Sequence, residues 1–554
     1  MGTTLSGTKR ILAAALLATS ALAGGAFAAD KTPITADGLV EHIKVLASDA
    51  FEGRKPGTAG EEKTVAYIAE EFRKLGLKPA GDNGTYFQDV PMVEITNRPD
   101  GPMTVTGKDG AKSYEYFTQT MIWSRRRTDR PAVKDSEVVF VGYGITEPQQ
   151  DWDDYAGIDV RGKTVVMLVN DPGFATGDPK LFDGVAMTYH GRWTYKYENA
   201  AKHGAAAVLI VHETRPAGYP WGVVANSHSV PRLDLMPPDG GQGRAMIEGW
   251  VQLDVAKEMF AAAGLNFDEL KDRASDRGFK AVPMGIKVSM ALNNSFRDLK
   301  SRNVAAVLPG ASKPDEVVMY TAHWDHLGRG NAVKGDDIYN GAVDNATGTA
   351  GLLELAEAFA KAPTKPARSV AFVAFTAEEQ GLLGSEHYAL NPLFPVAKTV
   401  GGYNMDGLNY LGPTRDLIMI GAGKSEMDEP VLAWAKANGK TITPEVFPER
   451  GIYYRSDHFN LAKVGVPMLY TKAGVDSVAH GAEWGKAKAD EFTRTDYHQP
   501  SDEWKEGMTM EGGAEEVRML YELGRDLADS TKWPAWKPGS EFKPIREKSL
   551  SAAR

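Results

Sequence analysis

The sequence predicts an α/β protein in which a mostly parallel-stranded sheet is flanked by helices and a small α/β domain is inserted into the chain. Three observations predict it. From about residue 284 onward, short apolar runs alternate with segments of helical period, as strands joined by crossover helices do. Those runs are continuously apolar rather than alternating, which suits strands covered on both faces. Between about 136 and 283 a second strand–helix–strand pattern interrupts the chain.

Taken from the N-terminus, Lys9 and Arg10 precede an Ala-rich apolar run at 11–23, and Ala26-Phe27-Ala28 reads as a small-x-small cleavage site. Residues 1–28 are therefore expected to be a signal peptide, and the mature chain to be exported, periplasmic or secreted in a bacterium. No later run is long and apolar enough to suggest a stable membrane span. Helical periodicity follows at 39–46 and 62–75, where Val65, Ile68, Ala69 and Phe72 share a face; turn formers fill 51–58 between them. Residues 101–134 are polar and broken by Gly and Pro, and read as a junction. The inserted domain, 135–283, carries strands at 138–141, 164–169 and 207–211 with a helix at 197–202. The main domain, 29–134 and 284–554, carries strands at 317–322, 370–375, 400–405, 417–420 and 467–471, and helices at 348–362, 426–438 and 512–527. The tail after Trp533 reads as an irregular wrap.

At 554 residues the chain exceeds one ordinary core, consistent with two units. Its 63 basic and 73 acidic side chains give a net charge of −10 with no dense basic run, which argues against a nucleic-acid partner. With no cysteine, disulfides, thiolate metal sites and a cysteine nucleophile are all excluded.

Potential metal ligands fall where the strands end: His323 after 317–322, Asp344 before a helix, Glu378 and Glu379 after 370–375, Asp406 after 400–405, and His498 in a loop ahead of the last helix. Singly, each has a plainer role. Asp344 suits a helix N-cap, the Glu pair a helix start, and Asp406 before Gly407 a turn. Their concurrence at successive strand ends of one sheet changes the balance, because ligands in such folds bind outside the carboxyl ends of strands. Imidazole and carboxylate donors suit zinc without thiolates. A carboxylate bridges two ions ~3.5–4 Å apart, and one of two adjacent Glu residues ligates while the other moves protons. Asp325, two residues after His323, is placed to hold that imidazole.

The chain resembles the di-zinc aminopeptidase family that also includes glutamate carboxypeptidases, in its bacterial form with an inserted protease-associated domain. The resemblance rests on His323-Trp324-Asp325, Val343-Asp344-Asn345-Ala346-Thr347-Gly348, Glu378-Glu379-Gln380-Gly381, Asn404-Met405-Asp406 and Tyr497-His498-Gln499-Pro500-Ser501-Asp502, in order. Gly53-Arg54, Ser456-Asp457-His458-Phe459, and in the insertion Val141-Gly142-Tyr143-Gly144 and Asn199-Ala200-Ala201-Lys202-His203-Gly204, extend it. It implies a zinc-dependent exopeptidase of zinc aminopeptidase-like fold, with two Zn2+ ions and peptides with a free N-terminus as substrates. By position, Asp344 would bridge the ions, His323 and Asp406 would complete one site, and Glu379 and His498 the other. Glu378 would be the general base, Asp325 would orient His323, and Tyr453 or Tyr454 would support the oxyanion.

Other readings stand beside this one. A carboxypeptidase or dipeptidase of the same family needs a cation for the substrate carboxylate, and Arg455 is the nearest. A non-catalytic peptide-binding protein would have no use for Glu378, and cyclisation of N-terminal glutamine on a single zinc would leave ligands over. Asp457-His458 resembles half a triad, but without a Gly-x-Ser-x-Gly elbow a serine hydrolase is disfavoured. His480 reads as a loop residue, and Tyr189, Trp193, Tyr195 and Tyr197 as core or rim of the insertion, with His190 and Arg192 near enough in sequence to reach substrate.

Overall fold

The computed structural model describes residues 1–2, 33–445 and 447–552; beyond its first two residues the expected signal segment 1–28 lies outside that range. Residues Pro33–Arg554 form one compact unit. Among the described residues no helix is long and apolar enough to cross a membrane.

At the centre of the main sheet the strand Lys313–His323 runs parallel to Arg368–Phe375 on one side and to Thr399–Met405 on the other. Met468–Ala473 continues the parallel set beyond Thr399–Met405. Every residue of Arg368–Phe375 and of Thr399–Met405 is buried, as expected of parallel strands covered on both faces. Antiparallel pairs close both flanks, Val282–Leu308 on Arg368–Phe375 and Asp416–Ile420 on Met468–Ala473.

Alternate residues of the central strand serve opposite layers, as the two-residue period of a strand requires. Val318, Tyr320 and Ala322 pack with Leu352, Leu355 and Phe359 of the helix Thr347–Lys361 and with Val517 and Leu520 of the helix Glu511–Asp529. The helices Ala36–Leu46 and Ala59–Lys74 add Leu39, Ile43, Ile68 and Phe72 to the same layer. Met319 points the other way, with Tyr388 and Leu461 from Leu383–Leu390 and His458–Lys463. Tyr320 stacks on Phe372 and Tyr403, its register neighbours, and its hydroxyl donates to the Leu520 carbonyl at 2.7 Å. Gly524 makes that possible, because a Cβ there would overlap the Tyr320 hydroxyl.

Val282–Leu308 is shared by two sheets. Its residues 292–304 pair with Phe87–Pro99 in the main sheet, while residues 287–289 pair with Met103–Gly107 in the second. The second sheet continues through Ala132–Phe140, Thr164–Leu168, Ala207–His212 and Ile247–Gln252 to Thr120–Trp123. Val166, Leu168 and Leu209 face one core of this sheet, and Val165, Met167 and Val208 the other.

Two expectations are corrected. The stretch 101–134 is not a structureless junction: Met103–Gly107, Gly110–Tyr114 and Thr120–Trp123 are strands of the second sheet, with Met103, Val105, Met121 and Ile122 buried. Only Met103–Gly107 alternates, and runs this short are masked by the Gly and Pro residues around them. The tail after Trp533 ends in a helix, Lys543–Ala552, after Trp536 and Phe542 have entered a cluster with Tyr453, Tyr454 and Tyr470.

Candidate metal centre

Parallel strands bring their carboxyl ends to one edge, and the register sets His323 opposite Phe375 and Ala322 opposite Met405. His323 closes its strand, Glu378 and Glu379 follow Phe375 within four residues, and Asp406 follows Met405 directly. Asp344 comes from the turn Ala342–Ala346 that opens the helix Thr347–Lys361; its peptide bond to Asn345 is cis. His498 comes from the loop after the helix Ala482–Thr495.

The two oxygens of Asp344 face two imidazoles. His323 Nε2 lies 3.3 Å from Oδ1, and His498 Nε2 lies 3.3 Å from Oδ2. His323 Nε2 is also 3.8 Å from Asp406 Oδ1 and 4.0 Å from Glu378 Oε2, and His498 Nε2 is 3.0 Å from Glu379 Oε2. Neither Nε2 has a hydrogen-bond partner, although both are buried at the atom. Two ligands of one tetrahedral cation held at ~2.0–2.1 Å stand roughly 3.3 Å apart, so this donor set, all imidazole and carboxylate, fits zinc. His323, Asp344 and Asp406 form one compact group of donors, and His326, Asp344 and Glu379 a second.

Charge follows the same plan. Burial lowers His323, but the carboxylates of Glu378, Asp344 and Asp406 outweigh it and lift the imidazole well above its usual range. Burial raises Asp344, yet His323 and His498 hold it well below. In Asp406, burial is outweighed by Lys472 and His323, so its carboxyl is lowered. Glu378 differs: burial, then Asp406 and Glu379, push it well above the carboxylate range against the pull of His323. A proton-holding carboxyl beside ionised ones suits acid–base work.

The supporting groups explain how the turns are held. Asp502 accepts the N–H of Val343 at 2.9 Å and of Asp344 at 3.0 Å. Asn345 accepts from Gly348 and Gly407 N–H and donates to the Met405 carbonyl, joining the Asp344 turn to the Asp406 loop. Arg54 is 1% exposed and donates to the carbonyls of Trp324, Leu46, Asn340 and Gly341 at 2.6–2.9 Å. Asp325 is fully buried, accepts the Glu378 N–H at 3.0 Å, and is pushed by burial to about 8. Its Oδ1 is 3.8 Å from His323 Nδ1, which bonds instead to the Asp325 main-chain carbonyl at 3.2 Å.

Tyr454 donates to Glu541 at 3.2 Å, while Tyr453 lies edge-on to His458 in an aromatic cluster. The tyrosines that touch the donor set are Tyr497, stacked on His498 with ring centroids 3.9 Å apart, and Tyr470, whose hydroxyl donates to the Asp406 carbonyl at 3.3 Å. Lys472 donates to that carbonyl at 2.5 Å. Sequence reasoning did not single out Tyr497, Tyr470, Lys472 or His326. Tyr497 stands inside a motif already recognised and His326 directly after one, but nothing local marks Tyr470 or Lys472. His480 packs on Trp484, away from the donor set.

A cavity of about 290 Å³ opens on Glu378, Glu379 and Tyr497. Arg192, Trp193, Tyr454 and Arg455 also line it. His190 instead pairs with Glu147 at 3.0 Å. Tyr189 packs on Tyr454 and Phe459, and Tyr195 and Tyr197 are buried in the two cores of the second sheet.

The profile described as Peptidase family M28 matches residues 303–517. Aminopeptidase YwaD of Bacillus subtilis is 35% identical over 344 residues, 62% of this chain and 55% of its own length. Leupeptin-inactivating enzyme 1 of Streptomyces exfoliatus is 28% identical over 207 residues, 36% of this chain and 42% of its own. The chain thus spans less than two thirds of either relative. The solved aminopeptidase from Aneurinibacillus sp. strain AM-1 superposes with a TM-score of 0.47 at 20% identity, over 92% of this chain and 95% of that one. His323, His326, Asp344, Glu378, Glu379, Asp406 and His498 all fall within the matched span, and residues 303–517 of this chain are a peptidase family M28 domain.

Proposed function

We propose that the chain is an exported zinc-dependent exopeptidase that removes residues from the N-terminus of peptides at a two-cation centre. The observation that carries this reading is the placement of the Asp344 carboxylate between two imidazole Nε2 atoms that lack hydrogen-bond partners, 3.3 Å from each. In this reading Asp344 would be shared by two zinc ions, one that His323 and Asp406 would also hold and one that Glu379 and His498 would also hold. When bound, such ions polarise a carbonyl and acidify a shared water. Glu378 takes the proton from the attacking water and returns it to the leaving amine, a role that its raised proton affinity supports. Asp325 fixes the Glu378 backbone and backs His323. The stacking of Tyr497 on His498, at the cavity wall, favours it over Tyr453 and Tyr454 as the hydroxyl nearest a reacting carbonyl. The segment 135–283, with the strands from Met103 onward, acts as an inserted protease-associated domain that forms one wall of the cavity. The signal-like segment 1–28 supports export to a bacterial periplasm or medium.

A second reading, cleavage at the C-terminus or of dipeptides, is favoured by one feature. Arg192 Nε and Arg455 Nε and Nη2 are buried without partners in the cavity wall, and burial, then Arg455, lowers Arg192 to about 10. Paired guanidiniums suit a substrate carboxylate. Initial rates on aminoacyl p-nitroanilides, against N-blocked peptides with a free carboxylate, separate the two, with Glu378→Ala as blank. Turnover confined to the free-amine set supports the aminopeptidase; turnover confined to the N-blocked set overturns it.

A further inference from the structure

His326 is fully buried three residues beyond His323 and stands in the second donor group with Asp344 and Glu379, but the two-cation reading assigns it no ligand role. Its backbone N–H points to the Arg54 carbonyl at 3.4 Å. Its ring lies so close under Gly341 that a Cβ at that position would stand 2.5 Å from it. Gly341 adopts φ +58°, so both space and backbone favour glycine there. The ring's Nδ1 stands 2.6 Å from Glu379 Oε1. The two atoms meet off the ideal hydrogen-bond line, and neither has another partner.

Distance separates two roles for this imidazole. Ligands of one tetrahedral zinc stand roughly 3.3 Å apart, and His498 Nε2 keeps 3.0 Å from Glu379 Oε2 and 3.3 Å from Asp344 Oδ2. The 2.6 Å approach of His326 is shorter than that spacing and belongs with a charge-assisted hydrogen bond of about 2.7–2.9 Å. We propose that His326 is a positioning residue: Nδ1–H donates to Glu379 Oε1 and so turns Oε2 toward His498 and the second cation. This rests on the two-cation reading above. It divides the second cation position into a rigid half, built by the buried His326–Glu379 pair, and a loop-borne half, His498, whose side chain is 35% exposed.

The test is cobalt binding to the metal-stripped full chain, followed by visible absorption and by competition with a chromophoric chelator. His326→Phe keeps an aromatic ring against Gly341 and removes the donor; His326→Asn restores a donor at a similar reach. The second of two binding steps is expected to weaken 10- to 100-fold in His326→Phe, with the first step unchanged, and to recover most of that loss in His326→Asn. His326→Leu repeats the measurement if the stripped Phe variant has a lowered Tm. Wild-type affinity for both ions in the donorless variants overturns the proposal, as does a loss in His326→Asn equal to that in His326→Phe. A wild-type chain that binds fewer than two ions removes the two-cation centre itself, a result distinct from either.

Discussion

Asp502 accepts the N–H of Asp344 at 3.0 Å, so the loop that carries His498 is tied to the turn that carries the carboxylate facing it. The two donors come from segments 154 positions apart in the chain, and this bond, with its partner from Val343 at 2.9 Å, fixes their separation. Removing it should release the Asp344 turn without removing any donor. Asp502→Ala is expected to lower zinc affinity 10- to 100-fold, measured by chelator competition. Unchanged affinity would show that the hydrogen bonds of Asn345 suffice to hold the Asp344 turn.

Glu378→Gln keeps the shape of the side chain and its backbone bond to Asp325 but removes the proton acceptor. Turnover should fall by about 10²–10⁴-fold while bound zinc, counted by elemental analysis, stays at the wild-type level. Asp344→Ala is the contrast, losing metal and turnover together. Loss of metal in Glu378→Gln would place this residue among the ligands instead.

Arg54 satisfies four buried carbonyls from both the His323 and Asp344 segments. Lysine carries the charge but not the planar fork, so Arg54→Lys leaves at least one of these carbonyls unpaired. We expect a loss of about 2–4 kcal/mol in urea unfolding of the metal-free chain. A change below about 0.5 kcal/mol would mean that water replaces the guanidinium there.

Glu516, on the helix Glu511–Asp529, is buried, accepts the Asn409 N–H at 2.9 Å and is raised by burial to about 7, against the pull of Lys472 and Lys440. Its folded-state pKa lies above the unfolded value, so its contribution is most favourable below about pH 4, declines as the pH rises toward 7, and is constant above that. Glu516→Gln should therefore stabilise the fold at pH 8 by up to about 3 kcal/mol and by much less at pH 4.5. Denaturant midpoints at the two pH values measure this. Equal effects at both would mean that Glu516 is ionised throughout.

Much of the centre was legible because its chemistry is local to strand ends. Each of His323, Asp344, Glu379 and Asp406 stands within four residues of a strand or helix terminus whose apolar run marks it. The strands of 103–123 were not legible, because runs of four or five residues are too short to carry a clear period against the glycines between them. Tyr470 and Lys472 were hidden for another reason: they lie on a strand, and only its pairing beside Thr399–Met405 brings them to Asp406.

By itself, then, the sequence determined the donor types, their order and the parallel sheet that gathers them, because apolar period and strand-end chemistry are written within a few residues of each other. Only the tertiary structure decided which carboxylate faces two imidazoles, that Asp325 bonds the Glu378 backbone, that His326 reaches Glu379, and that Arg192 and Arg455 share one cavity. Those relations depend on contacts between segments tens to hundreds of positions apart. Their distances are set by strand register and by buried hydrogen bonds from Arg54, Asn345 and Asp502, which no local pattern encodes.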